Sequence, residues 1–380
     1  MNILIAPDKF KGSLTASEVC EAIGVGVKRY DQGFKVKQVP LADGGEGTLS
    51  VLSSSLPLKK VTTQVADPLF RPVQADYLMG DDKAYIEMAA ASGLELLAPL
   101  ERNCLYTTTY GTGQLIKDAM LRNAKEIYLF IGGSATNDAG IGMANALGYS
   151  FVNDNNEPVK PIGKNLEKIA DFYLENPDPH IRNVSFYVVC DVKNPLSGRD
   201  GAAWVYAAQK GADEKAIRLL DHGLMRFGKL INKKLNRDIA GETGSGAAGG
   251  LGAGAMAFLN ASMKSGIETV MDIVGLEDYI RKADLVISGE GKFDRQTLEG
   301  KVVAGVSALA GKYHKLVAVL CGIRDDKVTD KDLEILGISN LLTLKRDNIS
   351  IDFAVENAYD LLVERTQELM KHLNSQSARG

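Results

Sequence analysis

The chain is 380 residues long, with 44 lysines and arginines against 48 aspartates and glutamates and a formal net charge of −4. Its 45% hydrophobic and 24% charged residues are the make-up of a globular protein and exclude extended disorder. So small a negative charge, with lysine and arginine scattered throughout, speaks against nucleic acid or an anionic membrane surface as the main partner.

That length exceeds one ordinary hydrophobic core, so two domains are expected. The cysteines, Cys20, Cys104, Cys190 and Cys321, lie far apart with no CxxC pair. They read as reduced thiols, mostly buried, of a reducing cytosol. The histidines are equally scattered, which speaks against a zinc site. The sequence opens on a short apolar strand pattern without a basic n-region or cleavage signal, and no apolar run reaches the ~18 residues of a membrane span. The expectation is a cytoplasmic protein with no membrane partner.

Taken in chain order, residues 3–6 form the first β-branched apolar run, broken at Pro7 and Asp8. Thr15-Ala16-Ser17-Glu18 is a capping box, and Val19, Ile23 and Val27 fall on one face of the helix it starts. A second run at 36–39 ends before Ala42-Asp43-Gly44-Gly45. Residues 61–88, rich in β-branched side chains with turn signals at Asp67-Pro68 and Gly80-Asp81-Asp82, read as antiparallel strands. The run at 127–131 ends in Gly132-Gly133-Ser134, after which Asn137 and Asp138 can cap a helix through 143–147. Residues 153–184 and 198–246 are polar and loop-rich; between them the run 186–189 ends at Cys190-Asp191. Runs at 284–287 and 316–320 lead into Gly289-Glu290-Gly291 and Cys321-Gly322, and helices are expected over 301–313 and 354–373.

Continuous apolar strands are buried on both faces, as in a parallel sheet covered by helices. Their alternation with helices predicts an α/β fold: a doubly wound, mostly parallel sheet domain with a second α/β domain inserted into it and a ligand cleft between them. The first, Rossmann-like domain is expected over 1–62 and 284–380 and the inserted one over 63–283, with 108–150 assignable to either.

In open parallel sheets ligands bind at the carboxyl ends of strands. Asp8, Asp43, Glu46, Asp191 and Glu290 all fall just after predicted strands, as do many of the 39 glycines, so they are expected along one edge. Gly132, Gly133 and Ser134 offer backbone N–H groups before a helix start, the chemistry that holds phosphate oxygens; plain turn formation is the alternative. Gly289, Glu290 and Gly291 repeat the pattern, with Lys292 as a cation beside them. Lys11 is placed to clamp a carboxylate or phosphate, or else is a solvated surface lysine. Asp43 and Glu46 suit magnesium, or a turn and helix cap. Asp191 ends a buried strand, where a carboxylate is costly unless paired or functional.

Two familiar signatures fail. No GxxxxGK[ST] motif is present, and the GxGxxG match at Gly244 follows the polar residues 236–243 rather than a strand. Residues 250–258 read instead as a helix whose small side chains allow close packing.

The ordered motifs resemble those of the type I glycerate kinases. Ile5-Ala6-Pro7-Asp8 with Phe10-Lys11-Gly12-Ser13-Leu14 is similar to that family's opening signature, and Ala42-Asp43-Gly44-Gly45-Glu46-Gly47-Thr48 to its second. Ile86-Glu87-Met88, Thr107-Thr108-Thr109-Tyr110-Gly111-Thr112-Gly113, residues 132–138, Cys190-Asp191-Val192, Gln209-Lys210-Gly211-Ala212 and Gly289-Glu290-Gly291 with Gln296-Thr297 follow in order, from about residue 3 to about residue 345. Lys9 stands where serine is usual, Tyr206-Ala207-Ala208 replaces an aromatic-Gly-Pro, and Ala139 replaces a glycine at what is expected to be a helix start.

The resemblance implies ATP-dependent phosphoryl transfer to D-glycerate, most often at the 2-hydroxyl, with the site in the cleft of a two-domain α/β fold. Phosphoryl transfer needs phosphate positioning, a bridging metal, charge neutralisation and an oriented hydroxyl. On that basis Gly132, Gly133, Ser134, Gly289, Glu290, Gly291 and Lys292 are assigned to the nucleotide phosphates, and Asp43 and Glu46 to Mg²⁺. Asp8, Lys11 and Asn137 are assigned to substrate, with Lys11 also facing the transferring phosphoryl. Asp191 is the expected base, at the binding edge with limited water around it. ATP, Mg²⁺ and D-glycerate are thus the expected ligands, and a homodimer is compatible with the sequence. The competing readings are an NAD-dependent hydroxyacid dehydrogenase, which needs the Gly244 motif to follow a strand, and a non-catalytic small-acid-binding protein, which would not consume ATP.

Overall fold

A computed structural model describes residues 1–175, 179–298, 300–347 and 349–377. The chain divides into two compact units. Unit 1 comprises Met1–Asp43, Ser50–Leu56 and Ile267–Gly380; unit 2 comprises Gly44–Leu49 and Pro57–Gly266.

The strands follow in chain order as β1 (Asn2–Ile5), β2 (Lys35–Gln38), β3 (Lys59–Ala66), β4 (Pro72–Gly80), β5 (Lys83–Glu87), β6 (Glu126–Phe130) and β7 (Tyr149–Val152). They continue as β8 (Asp171–Leu174), β9 (Ser185–Val189), β10 (Ser262–Lys264), β11 (Leu285–Phe293), β12 (Leu316–Arg324) and β13 (Ile338–Thr343).

Unit 1 is built on a five-stranded sheet of order β13-β12-β11-β1-β2, parallel throughout. Ile3, Leu4 and Ile5 are buried, as a strand covered on both faces requires. The helix Ala16–Tyr30 carries the capping box, with Thr15 and Glu18 exchanging side-chain and backbone hydrogen bonds. Its buried Val19, Ile23 and Val27 join Leu361, Leu362 and Leu369 of the helix Ala358–Ser377 in one core.

Unit 2 is built on a six-stranded sheet of order β10-β9-β6-β5-β4-β3, beside a two-stranded β7-β8 ribbon. Residues 61–88 do form antiparallel β3-β4 and β4-β5 pairs, whereas β5-β6, β6-β9 and β9-β10 are parallel. One core packs this sheet; Phe151, Phe172, Phe227 and Phe258 belong to another. The fold is therefore mixed α/β with mostly parallel sheets. Among the described residues no helix is long and apolar enough to cross a membrane. The cysteines are free thiols, and Cys20, Cys104 and Cys321 are buried.

Two local expectations are corrected. Strand β11 does not stop at residue 287: it runs to Phe293, its ladder with β12 continuing through Gly289, Glu290 and Lys292. A side chain at Gly289 would strike the Leu320 carbonyl, so this glycine permits strand pairing and does not end it. The polar stretch 198–246 contains the helix Glu214–Leu235, capped by Asp213, whose buried Ile217, Leu220, Leu224, Phe227 and Ile231 share one face. The helix expected over 250–258 is present: within Ala247–Leu259 a left-handed break at Ala248, Gly249 and Gly250 precedes its regular turns.

Candidate active site

In unit 1, β1 delivers Asp8 to the carboxyl edge of the sheet, where its backbone N–H donates to the Gly289 carbonyl at 2.8 Å. Its Oδ1 accepts the N–H of Lys9 at 2.7 Å. Burial, with the Asp43 charge adding to it, pushes the Asp8 carboxyl up to about 7. Glu290 projects from β11, is 6% exposed, and accepts the Thr297 hydroxyl at 2.6 Å. Burial raises it too to about 7, against the Thr297 bond and with the Asp8 charge adding. Lys301, the residue before the helix Val302–Lys312, pulls both values back and donates to Gln296 Oε1 at 2.9 Å. Asp8, Asp43, Glu290 and Lys301 thus form one electrostatic group.

The remaining unit 1 candidates are more ordinary. Lys11 is exposed in the turn bridged by Phe10 and Leu14. Lys292 is exposed and ion-paired with Asp294 and Asp325, each at 3.4 Å. Gly289, Glu290 and Gly291 lie within a strand, so they do not form the loop that the phosphate assignment presupposed.

The Glu290 carboxyl gives a pH-dependent prediction. Its folded pKa of about 7 lies above the ordinary glutamate value of 4.5, so the folded state carries no penalty below that value. The penalty grows as pH rises from there to about 7. Glu290→Gln keeps an acceptor for Thr297 and removes the charge. Its unfolding free energy should match that of the unsubstituted protein near pH 5 and exceed it at pH 8, by up to about 3 kcal/mol at ~1.4 kcal/mol per unit. Equal midpoints at pH 8, followed by chemical denaturation, would refute the penalty.

In unit 2 the carboxyl ends of β5, β6, β9 and β10 bring several motifs to one edge. Glu87, at the end of β5, accepts the N–H of Leu49 at 3.0 Å and bonds the N–H groups of Gly47 and Thr48. The start of the helix Thr48–Ser55 is therefore occupied by a protein carboxylate. Burial nonetheless raises the pKa of Glu87, with the nearby Glu46 charge adding to it. Glu46 is exposed.

The turn after β6 lies against this loop: a Cβ at Gly132 would sit 3.0 Å from Gly45 Cα, tighter than ordinary contact, so a side chain there would press on the Gly45 backbone. Gly133 is exposed, and its carbonyl accepts Leu94 N–H at 2.9 Å while Ala135 N–H donates to the Ser92 carbonyl at 2.9 Å. Ser134 Oγ accepts a hydrogen bond at 2.6 Å from the ammonium of Lys210, a residue only 2% exposed. Lys210 Nζ also donates to the Thr136 carbonyl at 2.8 Å. Burial pulls its pKa down to about 8, with Cys104 and Asp138 acting against the shift.

Below the turn, Asp138 is fully buried. Its Oδ2 accepts the N–H and hydroxyl of Thr109, both at 2.8 Å, and the N–H of Gly142 at 3.2 Å; Oδ1 accepts Gly140 N–H at 3.2 Å. Burial raises its pKa while these donors lower it. The helix here is shorter than expected, Ile141–Ala146, and Asp138 already serves its first turn. Ala139 is not in that helix but left-handed at φ 51°, a conformation in which the usual glycine would be unstrained. Asn137, assigned to substrate, is fully buried, and its amide atoms have no hydrogen-bond partner among the described residues.

Asp191 departs from expectation in its surroundings. The chain turns outward after Val189, so the carboxylate is exposed rather than shielded from water. Its Oδ1 accepts the Gly266 N–H at 2.7 Å and the Ser265 hydroxyl at 3.1 Å, at the start of the helix Gly266–Ile273. Among the described residues no group of three or more His, Cys, Asp or Glu side chains is arranged to hold a metal.

Sequence reasoning had passed over Glu87, Lys210, Thr109 and Lys301. The first three lie inside quoted motifs, but their partners are 29 to 76 residues away, which no local pattern reveals.

Comparison with known proteins gives this geometry a context. The model of the glycerate kinase family matches residues 3–374. A protein named glycerate 2-kinase from Escherichia coli K12 is 41% identical over 371 residues, covering 97% of each chain. A glycerate kinase from Halalkalibacterium halodurans is 44% identical over 322 residues, 84% of this chain and 85% of that one. A crystal structure from Salmonella typhimurium LT2, assigned to glycerate kinase 2, superposes with a TM-score of 0.88 at 38% identity, covering 100% of this chain and 99% of that one. On sequence and on structure alike, the chain belongs to the glycerate kinase family, a family of phosphotransferase enzymes.

Proposed function

We propose that the chain transfers a phosphoryl group from ATP to the 2-hydroxyl of D-glycerate, with magnesium, in the cytoplasm. The observation that carries this reading is the full-length similarity to the protein named glycerate 2-kinase in Escherichia coli. The electrostatic group in unit 1 supports it. A phosphoryl acceptor hydroxyl needs a group to receive its proton, and Asp8 suits that role: it is half-buried at the sheet edge, with its pKa raised to about 7. Asp191, exposed and committed to Gly266, suits it less, and capping the following helix is the role we propose for it. Lys301 and Lys11 supply positive charge in the same unit. The turn of Gly132, Gly133 and Ser134 is proposed to bind phosphate oxygens.

Magnesium favours hard oxygen donors, keeps several waters, and takes one or two protein carboxylates together with substrate phosphates. Asp43, a part-buried carboxylate whose charge reaches Asp8, fits that chemistry. When bound, the ion would neutralise charge on the phosphate oxygens. The protein's own part is to present Asp43 at the sheet edge and to hold Asp8 beside it.

With purified protein, ADP release should require D-glycerate, stop on chelation of magnesium, and be indifferent to NAD(H). Asp43→Asn should raise the magnesium concentration needed for half-maximal rate by about tenfold, and Glu46→Gln should raise it less. Glycerate-independent ADP release, or none at any pH and metal level, would remove the reading. An unchanged magnesium dependence in Asp43→Asn would return that residue to a turn-forming role.

A further inference from the structure

Lys210 is a buried ammonium whose direct partners, Ser134 Oγ at 2.6 Å and the Thr136 carbonyl at 2.8 Å, are both neutral. The nearest carboxylate that acts on it, Asp138, has its oxygens committed to Thr109, Gly140 and Gly142. An ammonium has three donors and no acceptor. The bond to Ser134 can therefore run only from lysine to serine, and the serine proton must point elsewhere. The backbone around Ser134 is fixed by the Gly133–Leu94 and Ala135–Ser92 hydrogen bonds, and Gly133 beside it is exposed. Lys210 is itself held: its carbonyl accepts Cys104 N–H at 3.1 Å.

We propose that Lys210 is a positioning residue that acts through Ser134, turning the serine hydroxyl into an oriented, charge-polarised donor for an anionic oxygen of the ligand. A hydroxyl that accepts from a cation is a stronger donor on its other side, and a donor to an anion at such a site is worth more than a neutral pair. The anionic oxygen is a phosphate oxygen of the nucleotide or the carboxylate of the acid substrate. This inference rests on the proposed kinase reading, which brings those anions to the chain.

The test is direct titration calorimetry on the full chain with Mg·ATP and, separately, with D-glycerate. Ser134→Ala should weaken one of the two ligands by about 10- to 100-fold, and Ser134→Thr, which keeps the hydroxyl, should restore most of it. An effect on Mg·ATP identifies the phosphate and an effect on D-glycerate the carboxylate; either supports the inference. Lys210→Met should weaken the same ligand, and the double variant should lose no more than Ser134→Ala alone. If Lys210→Met does not fold, the alanine and threonine variants at the part-exposed Ser134 still decide the question. Affinities within threefold for both ligands in Ser134→Ala, or losses that simply add in the double variant, would overturn the inference. Failure of the unsubstituted chain to bind either ligand would instead count against the kinase reading.

Discussion

Asp8→Asn is expected to lower kcat by about 10²-fold or more, with a smaller change in the KM for D-glycerate and no loss of folding stability. Asparagine keeps the shape and the Oδ1 that accepts the Lys9 N–H. What it lacks is the capacity to receive a proton at a carboxyl already poised near neutrality by burial and by Asp43. The lower end of the usual range for a positioned base is expected, because a loose phosphoryl-transfer transition state asks less of the base. Since a carboxyl with a raised pKa disfavours the folded state when charged at neutral pH, the substitution should leave the unfolding midpoint level or raise it. Asp191→Asn is the matched comparison and should cost less than tenfold in kcat. Should the two variants exchange magnitudes, the base is Asp191; should Asp8→Asn fall within threefold of the unsubstituted rate at every magnesium level, Asp8 has no part in the chemistry.

The largest effect on stability is expected at Asp138. Asp138→Ala leaves the N–H groups of Thr109, Gly140 and Gly142 and the Thr109 hydroxyl without their acceptor, in a site with no exposure. Relief of the buried charge offsets part of this, so a loss of about 3–5 kcal/mol is expected. Asp138→Asn should lose only about 1–2 kcal/mol, because its carbonyl oxygen can take the Oδ2 position and opposes an N–H only at Gly140. Denaturant titration of both variants reads this order directly. Equal, small losses would mean that other groups satisfy these donors. The same residue ties the fold to the candidate site, since the turn that carries Ser134 leads straight into it.

What the sequence made legible was local or periodic. Thr15 and Glu18 announce the helix Ala16–Tyr30, and the apolar runs at β1, β6 and β9 end where their motifs begin. Placing Asp8 at a carboxyl edge needed nothing more than the strand before it. Less legible was everything set by tertiary packing. Glycines at 289 and 291 look like a loop, yet they let β11 run on beside β12. The helix Glu214–Leu235 is rich in charge, and its buried face is visible only when Ile217, Leu220, Leu224, Phe227 and Ile231 are read at helical spacing. Lys210 defies the ordinary expectation that lysine is solvated, because its acceptors come from a turn 74 and 76 residues away. Asp191 erred in the opposite direction: a buried strand does not oblige the residue just beyond it to be buried.

The central claim, phosphorylation of D-glycerate at its 2-hydroxyl, is tested most directly by ³¹P NMR of the product formed from D-glycerate and Mg·ATP. A phosphate on the 2-oxygen couples to the single methine proton and gives a doublet, whereas one on the 3-oxygen couples to the methylene pair and gives a triplet. A new phosphomonoester doublet, growing in step with ADP, is the predicted result. A triplet, or ADP without any new phosphomonoester, would contradict it.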